Sequence, residues 1–264
     1  MRGRGIVLLL AFAACGADAL GFEVGPLLGY GTPEERNALK SYDVNMGPAT
    51  VDAGKAPIYG VWMAATFAPW TAGLAASYMT TEATAEGTYE TTRVEETSWG
   101  VTASAGRVFP ALRMEAALEL GYGRFDVLSE TGRGLGGPEE VVWDRSDYGG
   151  DVYRAAVVFK PTLFSWRERL GFRLALGPAL SYIAREGETE KKHRWYEGET
   201  VKYGDAVMDF YYGCGVDVAF ASRYGVALDL RVIHKLAEPR DEYPGDAGGG
   251  FYVTLAPHVG FGGE

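Results

Sequence analysis

The feature that most constrains this chain is an alternation of apolar residues with small or polar ones. Its clearest instance is the segment 251–261, FYVTLAPHVGF, in which every odd-numbered position is apolar. The even-numbered positions of the segment are Tyr, Thr, Ala, His and Gly. Because successive side chains of a β-strand point to opposite faces, this segment predicts a strand with one apolar face. It is also long enough to cross a bilayer as a tilted strand.

The same alternation predicts ten strands. Their centres are the segments 22–30, 59–67, 74–78, 99–105, 112–122, 153–159, 170–182, 208–220, 226–232 and 251–261. Short connections follow the even-numbered strands, and long connections follow the odd-numbered ones, at about 32–56, 81–97, 125–150, 186–205 and 237–249. This asymmetry and an even strand number are typical of bacterial outer-membrane barrels. We therefore predict an all-β fold, a closed antiparallel transmembrane β-barrel of ten strands. Eight strands are the alternative, because the third segment is only weakly apolar.

The N-terminal residues 1–19 have the order of a secretory signal peptide. Two arginines precede an apolar run at 6–14, and small residues precede a predicted cleavage site after Ala19. Cleavage there would leave 20–264 as a single barrel domain. Lipid attachment at Cys15 is a second possibility, because the preceding residues resemble a lipoprotein processing box. Either route exports the chain.

The strands of a soluble barrel would also alternate apolar and polar residues. The composition of the second face therefore has to distinguish a soluble barrel from a transmembrane one. In the segments 60–66 and 98–106 that face is built largely of Gly, Ala, Ser and Thr. A solvated face normally carries Lys and Glu. Small residues suit a crowded lumen better, which predicts that the apolar face contacts lipid.

Aromatic residues at matching heights on the apolar face predict girdles at two lipid–water interfaces. The principal members are Tyr30, Tyr59, Trp99, Tyr122, Tyr153, Tyr182, Phe210 and Phe251 near the long connections, and Phe261 near the short turns.

Charged residues of both signs fall on the face that would line the lumen. The candidate lumen-lining residues are Glu115, Glu119, Arg154, Lys160, Arg173, Asp209, Asp217, Asp229, Arg231 and Lys235. Buried charges must be paired or hydrated, and ten strands enclose little more space than side chains can fill. The set therefore predicts an occluded lumen held by salt bridges. The alternative is a narrow pathway whose charges select small solutes.

Three prolines conflict with the predicted barrel, because each removes a hydrogen-bond donor from the interior of a strand. They are Pro26, Pro178 and Pro257. Pro26 and Pro257 lie in the first and last strands, which would have to pair to close the barrel. A bulge at that seam would relieve the conflict.

Between about residues 20 and 261 the pattern resembles the small outer-membrane β-barrels of the OmpA-like and OmpW-like class. The resemblance implies location in the outer membrane, with long loops on the cell surface and short turns in the periplasm. It also implies contact with outer-membrane lipid and insertion by the barrel-assembly machinery. Small solutes or host ligands are further possible partners, whereas a net charge of -10 argues against nucleic acid.

Catalysis is not expected from this sequence. Ten strands resemble the omptin proteases, but no Asp/His motif stands out around His193, His234 or His258. We predict no enzyme, cofactor or metal, with a rim-located enzyme as a remote alternative. The sequence thus favours a surface-exposed structural or adhesive protein with an occluded charged lumen, and an OmpW-like narrow channel is the alternative.

Overall fold

The computed structural model describes residues 21–33, 50–52, 56–86, 91–133, 141–167, 169–191, 199–221, 223–235 and 250–261. Nearly all of these residues are in β-strands. The predicted signal peptide and Cys15 lie outside the described residues. Within the described residues, no helix has the length and apolar character needed to span a membrane.

Ten of the eleven described strands form one closed ring. The eleven strands are β1 (Gly21–Pro33), β2 (Thr50–Asp52), β3 (Pro57–Phe67), β4 (Trp70–Glu86), β5 (Thr91–Phe109), β6 (Met114–Arg133), β7 (Val141–Trp166), β8 (Leu170–Lys191), β9 (Glu199–Ala221), β10 (Tyr224–Lys235) and β11 (Gly250–Phe261). All pairings are antiparallel; β1 pairs with β3 and β11, and β3 to β11 each pair with the next strand. Among the described residues, the short β2 pairs with the end of β4 alone.

This arrangement confirms the closed barrel of ten strands, which are β1 and β3–β11. The alternative of eight strands is wrong. The weakly apolar third segment forms β4, which pairs with β3 from Trp70 to Met79 and with β5 from Trp70 to Glu86. Small residues are sufficient there because backbone hydrogen bonds to two neighbours supply the pairing.

The two ends of the barrel differ as predicted, but the long connections are shorter than expected. At one end, here called the turn end, short connections such as 68–69 and 110–113 join the strands. At the other end, here called the hairpin end, most of the predicted loops 81–97, 125–150 and 186–205 are paired strand. The loop prediction was wrong for these residues.

Polar pairing explains these extensions. Thr92 and Thr131 lie opposite one another with their hydroxyl oxygens 3.1 Å apart, and Arg93 Nε lies 3.0 Å from Glu82 Oε1. Polar cross-strand pairs of this kind stabilise a sheet without an apolar alternation. The apolar pattern used for the prediction therefore ended before the strands did.

The start of β6 also differs from the prediction, which began that strand at Leu112. Pro110–Leu112 form a 3₁₀ turn, and Arg113 has a left-handed backbone with φ 47°. Proline favours the first position of such a turn, so the strand begins at Met114.

The apolar face of the strands points outward. Tyr59 is 54% exposed and Leu180 is 55% exposed, although both lie in the middle of the sheet. An outer row of aromatic side chains crosses neighbouring strands near the hairpin end: Tyr59, Tyr78, Trp99, Tyr122, Tyr153 and Tyr182. From Trp99 to Tyr182, successive ring centroids lie 5.4, 5.2 and 6.4 Å apart.

The remaining predicted girdle residues also lie on the outer face. Tyr30 and Phe251 are exposed on β1 and β11, and Phe210 packs on Tyr212 with 6.5 Å between ring centroids. At the turn end, Phe261 is exposed and lies 6.5 Å from the ring of Phe22. The outer surface therefore has aromatic residues at both ends and aliphatic residues between them.

Proline interrupts the sheet at Pro178 without ending its strand. Ala156 of β7 pairs with Ala179 and Phe159 pairs with Leu176, but no pair is formed between these two. Here the carbonyl oxygen of Val157 lies 1.8 Å from the position of an ideal Cβ on Gly177. Only glycine accommodates this approach. The conflict predicted at the prolines is thus resolved by a local gap in the pairing.

Candidate functional site

The inner face of the barrel is chemically divided. On β5 it is lined by the small residues Ser98, Gly100, Thr102, Ser104 and Gly106. On β7, β8, β9 and β10 it carries the large charged and aromatic residues. Long side chains from one half of the wall therefore face small residues on the other half.

The most buried polar group of the lumen is Asp209 on β9. Its Oδ2 accepts a hydrogen bond of 2.5 Å from Ser181 Oγ on β8. Arg154 on β7 donates from Nε to Ser181 Oγ at 3.0 Å, and its Nη2 lies 3.7 Å from Asp209 Oδ2. Asp209 and Ser181 are both completely buried. Three neighbouring strands are thus linked by one charged chain of contacts.

A second contact joins β6 to β7. Lys160 Nζ lies 3.0 Å from Glu119 Oε1, and the Glu119 side chain is almost fully buried. Closer to the turn end, Glu115 Oε1 accepts a hydrogen bond of 2.7 Å from Thr71 Oγ1 on β4. Both carboxylates therefore have partners on other strands, as buried charges require.

The third group is centred on Arg173 of β8. Its Nη1 lies 3.0 Å from Asp217 Oδ2 on β9, and its Nη2 donates to Asp229 Oδ1 on β10 at 3.2 Å. Nearby, the guanidinium of Arg231 lies over the ring of Tyr211, 5.6 Å from its centroid. This position is typical of a cation–π contact.

These contacts bring together nearly all of the predicted lumen-lining residues. Lys235 lies in β10, but its side chain is outside the described part. Each contact joins two adjacent strands or two strands separated by one other strand, so the contacts run along the barrel wall. Ser181 and Thr71 were missed as members of the site, because a small hydroxyl residue at an inward position is also an ordinary strand residue.

Acidic residues outnumber basic ones among the described charged residues of the inner face. The acidic residues are Glu23, Glu96, Glu115, Glu119, Asp209, Asp217 and Asp229, and the basic ones are Arg154, Lys160, Arg173 and Arg231. An acidic lining attracts cations and repels anions.

At the hairpin end a group of buried apolar side chains lies on the inner face. Phe125 and Val127 on β6 pack with Ile183 on β8 and Val207 on β9, and each is at most 2% exposed. The other side of the ring contributes Ile58 and Met79, which are also buried. We call these six residues the apolar layer. Sequence reasoning missed the layer because Phe125 and Val127 lie in a segment predicted as a loop.

The apolar layer has members at one level of the barrel wall. Phe125 and Met79 both pair with Ser98 of β5, so they lie at the same height on the two strands that flank it. A side chain on an open wall would remain exposed to water. The burial of these apolar side chains therefore indicates that each packs closely against its neighbours.

The lumen is more polar and more exposed toward the turn end. Glu23 is exposed, and its Oε1 lies 4.0 Å from His258 Nε2 on β11. The His258 ring packs edge-on against Trp62 with 5.7 Å between centroids. Among the described residues, no group of three or more His, Cys, Asp or Glu side chains is placed to hold a metal ion.

Comparison with known proteins supports the fold. No protein-family model and no curated protein matches the chain. Among solved structures, the translocator domain of the autotransporter NalP from Neisseria meningitidis is similar to it, with 11% identity and a TM-score of 0.50. That match covers 97% of this chain and 95% of the other.

Two further structures have lower scores. The transport unit of the autotransporter AIDA-I from Escherichia coli is 11% identical over 92% of this chain and 90% of its own, with a TM-score of 0.43. The outer membrane protease OmpT from Escherichia coli is 7% identical over 91% and 94%, with a TM-score of 0.40. The match to the NalP domain shows that this chain has the fold of a bacterial outer-membrane β-barrel. It does not single out the OmpA-like or OmpW-like class.

Proposed function

We propose that the protein is an integral outer-membrane barrel with its hairpin end on the cell surface and its turn end in the periplasm. The exposed apolar outer face supports this proposal, because a soluble protein rarely exposes so large an apolar surface. Aromatic residues at both ends of that surface match the two membrane interfaces. Outer-membrane lipid and the assembly machinery for barrels are then its partners.

Cysteine labelling on intact cells tests this orientation. In a Cys214→Ala background, Arg133→Cys at the hairpin end should react with a membrane-impermeant maleimide. The matched variant Arg167→Cys, in an exposed turn at the other end, should react only after the outer membrane is permeabilised. Labelling of Arg167→Cys alone on intact cells would contradict the orientation.

We propose further that the protein is structural or adhesive, with an occluded lumen and no catalytic role. The observation that carries occlusion is the burial of the apolar layer on both sides of the ring. The extended hairpins support the role at the surface, because they raise acidic residues such as Glu95 and Asp126 beyond the aromatic row. A basic host ligand would suit such hairpins.

A narrow channel for small cations is the second candidate. It is favoured by the partial exposure of Ser77, Thr102 and Ser104, which point into the lumen from the small-residue half of the wall. The acidic surplus on the inner face would give such a channel its preference for cations. Electrical conductance separates the two candidates, since an occluded barrel carries no steady current.

A further inference from the structure

The closing seam between β1 and β11 is interrupted near its middle. Val24 pairs with Val259 and Leu28 pairs with Leu255, but the described residues between them form no pair across the seam. Pro26 and Pro257 lie opposite one another in this interval, and neither has a backbone N–H to donate. In this interval the seam therefore lacks the cross-strand pairing that holds β1 and β11 together on either side of it.

In this interval β1 and β11 lose their pairing with each other but keep the pairing with their other neighbours. Over the same interval β1 remains paired with β3, where Pro26 is opposite Val61. Likewise β11 remains paired with β10, where Pro257 is opposite Val226. Each strand is held firmly by its other neighbour, so separating β1 from β11 here would leave the rest of the sheet intact.

The backbones approach closely at the interruption. The carbonyl oxygen of Pro257 lies 1.8 Å from the position that an ideal Cβ on Gly25 would occupy. Glycine is therefore required at this position. The interval lies between Phe22 and Phe261 at the turn end and Tyr30 at the hairpin end, so in a membrane it would face hydrocarbon.

The inner surface behind the seam is amphipathic. Toward the hairpin end, Leu27 and Tyr252 pack on Ile58 and Met79. Toward the turn end lie Glu23 and His258, as described above. The surface can therefore accept an apolar chain at one end and a polar group at the other.

Trp62 stands between these two regions. It pairs with Gly25 across the β1–β3 ladder, and its ring contacts His258 on the inner side of the seam. Its Nε1 is buried and has no hydrogen-bond acceptor among the described residues. A buried donor of this kind is costly to leave unpaired, so it points to an acceptor supplied from outside the chain.

We propose that the β1–β11 seam is a lateral portal for an acyl chain that bears an oxygen acceptor. The chain enters from the hydrocarbon through the interrupted pairing and lies on Leu27 and Tyr252. Its carboxyl or ester oxygen accepts the hydrogen bond of Trp62 Nε1. Fatty acids and membrane lipids share this chemistry. The inference rests on the proposed membrane location, because only there does the seam face acyl chains.

Quenching of Trp62 by brominated acyl chains tests the portal. The other five of the six tryptophans are replaced by Phe, and the protein is refolded into bilayers. One arm uses brominated phospholipid, and the other adds brominated free fatty acid to an unbrominated bilayer. Quenching in the first arm identifies a lipid as the source, and quenching in the second arm alone identifies the free acid.

Two single-tryptophan controls define the quenching expected of a lipid-facing side chain and of a lumenal one. Trp99 alone, which is exposed on the outer face, should be quenched by bromolipid in any inserted barrel. Thr102→Trp faces the lumen between the uninterrupted β4–β5 and β5–β6 ladders and should not be quenched. We expect Trp62 to be quenched to an extent comparable with Trp99.

Closing the seam should remove the effect. Pro26→Val with Pro257→Val restores two backbone donors, and it should lower the quenching of Trp62 several-fold. Pro178→Val, at the other interruption, should leave the quenching unchanged. If the double variant does not fold, the contrast between Trp62 and Thr102→Trp still decides the proposal.

Quenching of Trp99 without quenching of Trp62 would overturn the portal and leave the membrane location standing. Equal quenching of Trp62 and Thr102→Trp would also overturn it, because acyl chains would then reach the lumen by a general route. Absence of quenching for all three would refute both the portal and the membrane location.

Discussion

At the scale of single residues, the lumen depends on pairing of buried charges. Asp209 is completely buried and contacts both Ser181 and Arg154. The net attraction between these groups contributes less to folding stability than the free-energy cost of breaking the contact. Removing one partner of a buried ion pair leaves the other charge in a medium of low polarity.

Asp209→Ala should therefore lower the free energy of unfolding by about 3–5 kcal/mol, measured by urea unfolding in detergent or lipid. Asp126→Ala is the matched control. Asp126 lies 3.7 Å from Arg124 in an exposed pair, and the loss there should stay below about 1 kcal/mol. Equal effects of the two variants would show that the Asp209 contacts are not buried in the folded protein.

The charged residues of the site could be predicted from the sequence, but their partners could not. Alternation places a side chain inside or outside the barrel, so Arg173 and Asp229 could be assigned to the lumen. Their contact depends on the stagger between β8, β9 and β10, which no local pattern encodes. The same holds for Trp62, whose inward position was predictable and whose packing on His258 was not.

At the scale of strands, two kinds of pairing coexist. Within the barrel wall the strands carry the apolar alternation that predicted them. Beyond the aromatic row, β4–β9 continue as paired strands, and polar pairs such as Thr92 of β5 with Thr131 of β6 join one hairpin to the next. The wall keeps its own ladders below these extensions, so it can remain folded when one hairpin is shortened.

Shortening the β6–β7 hairpin tests whether the barrel wall folds without it. Residues 129–146 are removed, and Leu128 is joined to Asp147 through Asn-Gly, because these two residues lie opposite one another. Asn-Gly favours the tight turn that a two-residue hairpin needs. The shortened protein should keep its heat-dependent mobility shift in detergent gels. Loss of the shift would show that the barrel requires the hairpin to fold.

The prolines could be identified from the sequence, but their effect on strand pairing could not. Local rules correctly marked Pro26, Pro178 and Pro257 as conflicts with a continuous ladder. They could not show that the pairs at Gly25 and Gly177 are absent while the register stays the same on both sides of each gap. That outcome depends on support from the opposite neighbour of each strand.

At the scale of the whole molecule, closure and occlusion have different origins. Closure followed from an even number of strands and the phase of the turns, so it could be predicted. The proposed occlusion at the hairpin end rests on two buried apolar groups, one with Phe125 and Val207 and the other with Met79. These residues are far apart in the sequence, so only the closed barrel brings them to one end of the lumen.

A closed barrel with a blocked lumen passes no ions, and single-channel conductance in planar bilayers measures this property. Wild-type protein with a verified heat-dependent mobility shift should carry no steady current. Phe125→Ala with Met79→Ala, which thins the apolar layer, should produce openings that favour cations, whereas the outward control Leu180→Ala should remain silent. Stable openings of the wild-type barrel would show that the lumen is open and would establish the channel.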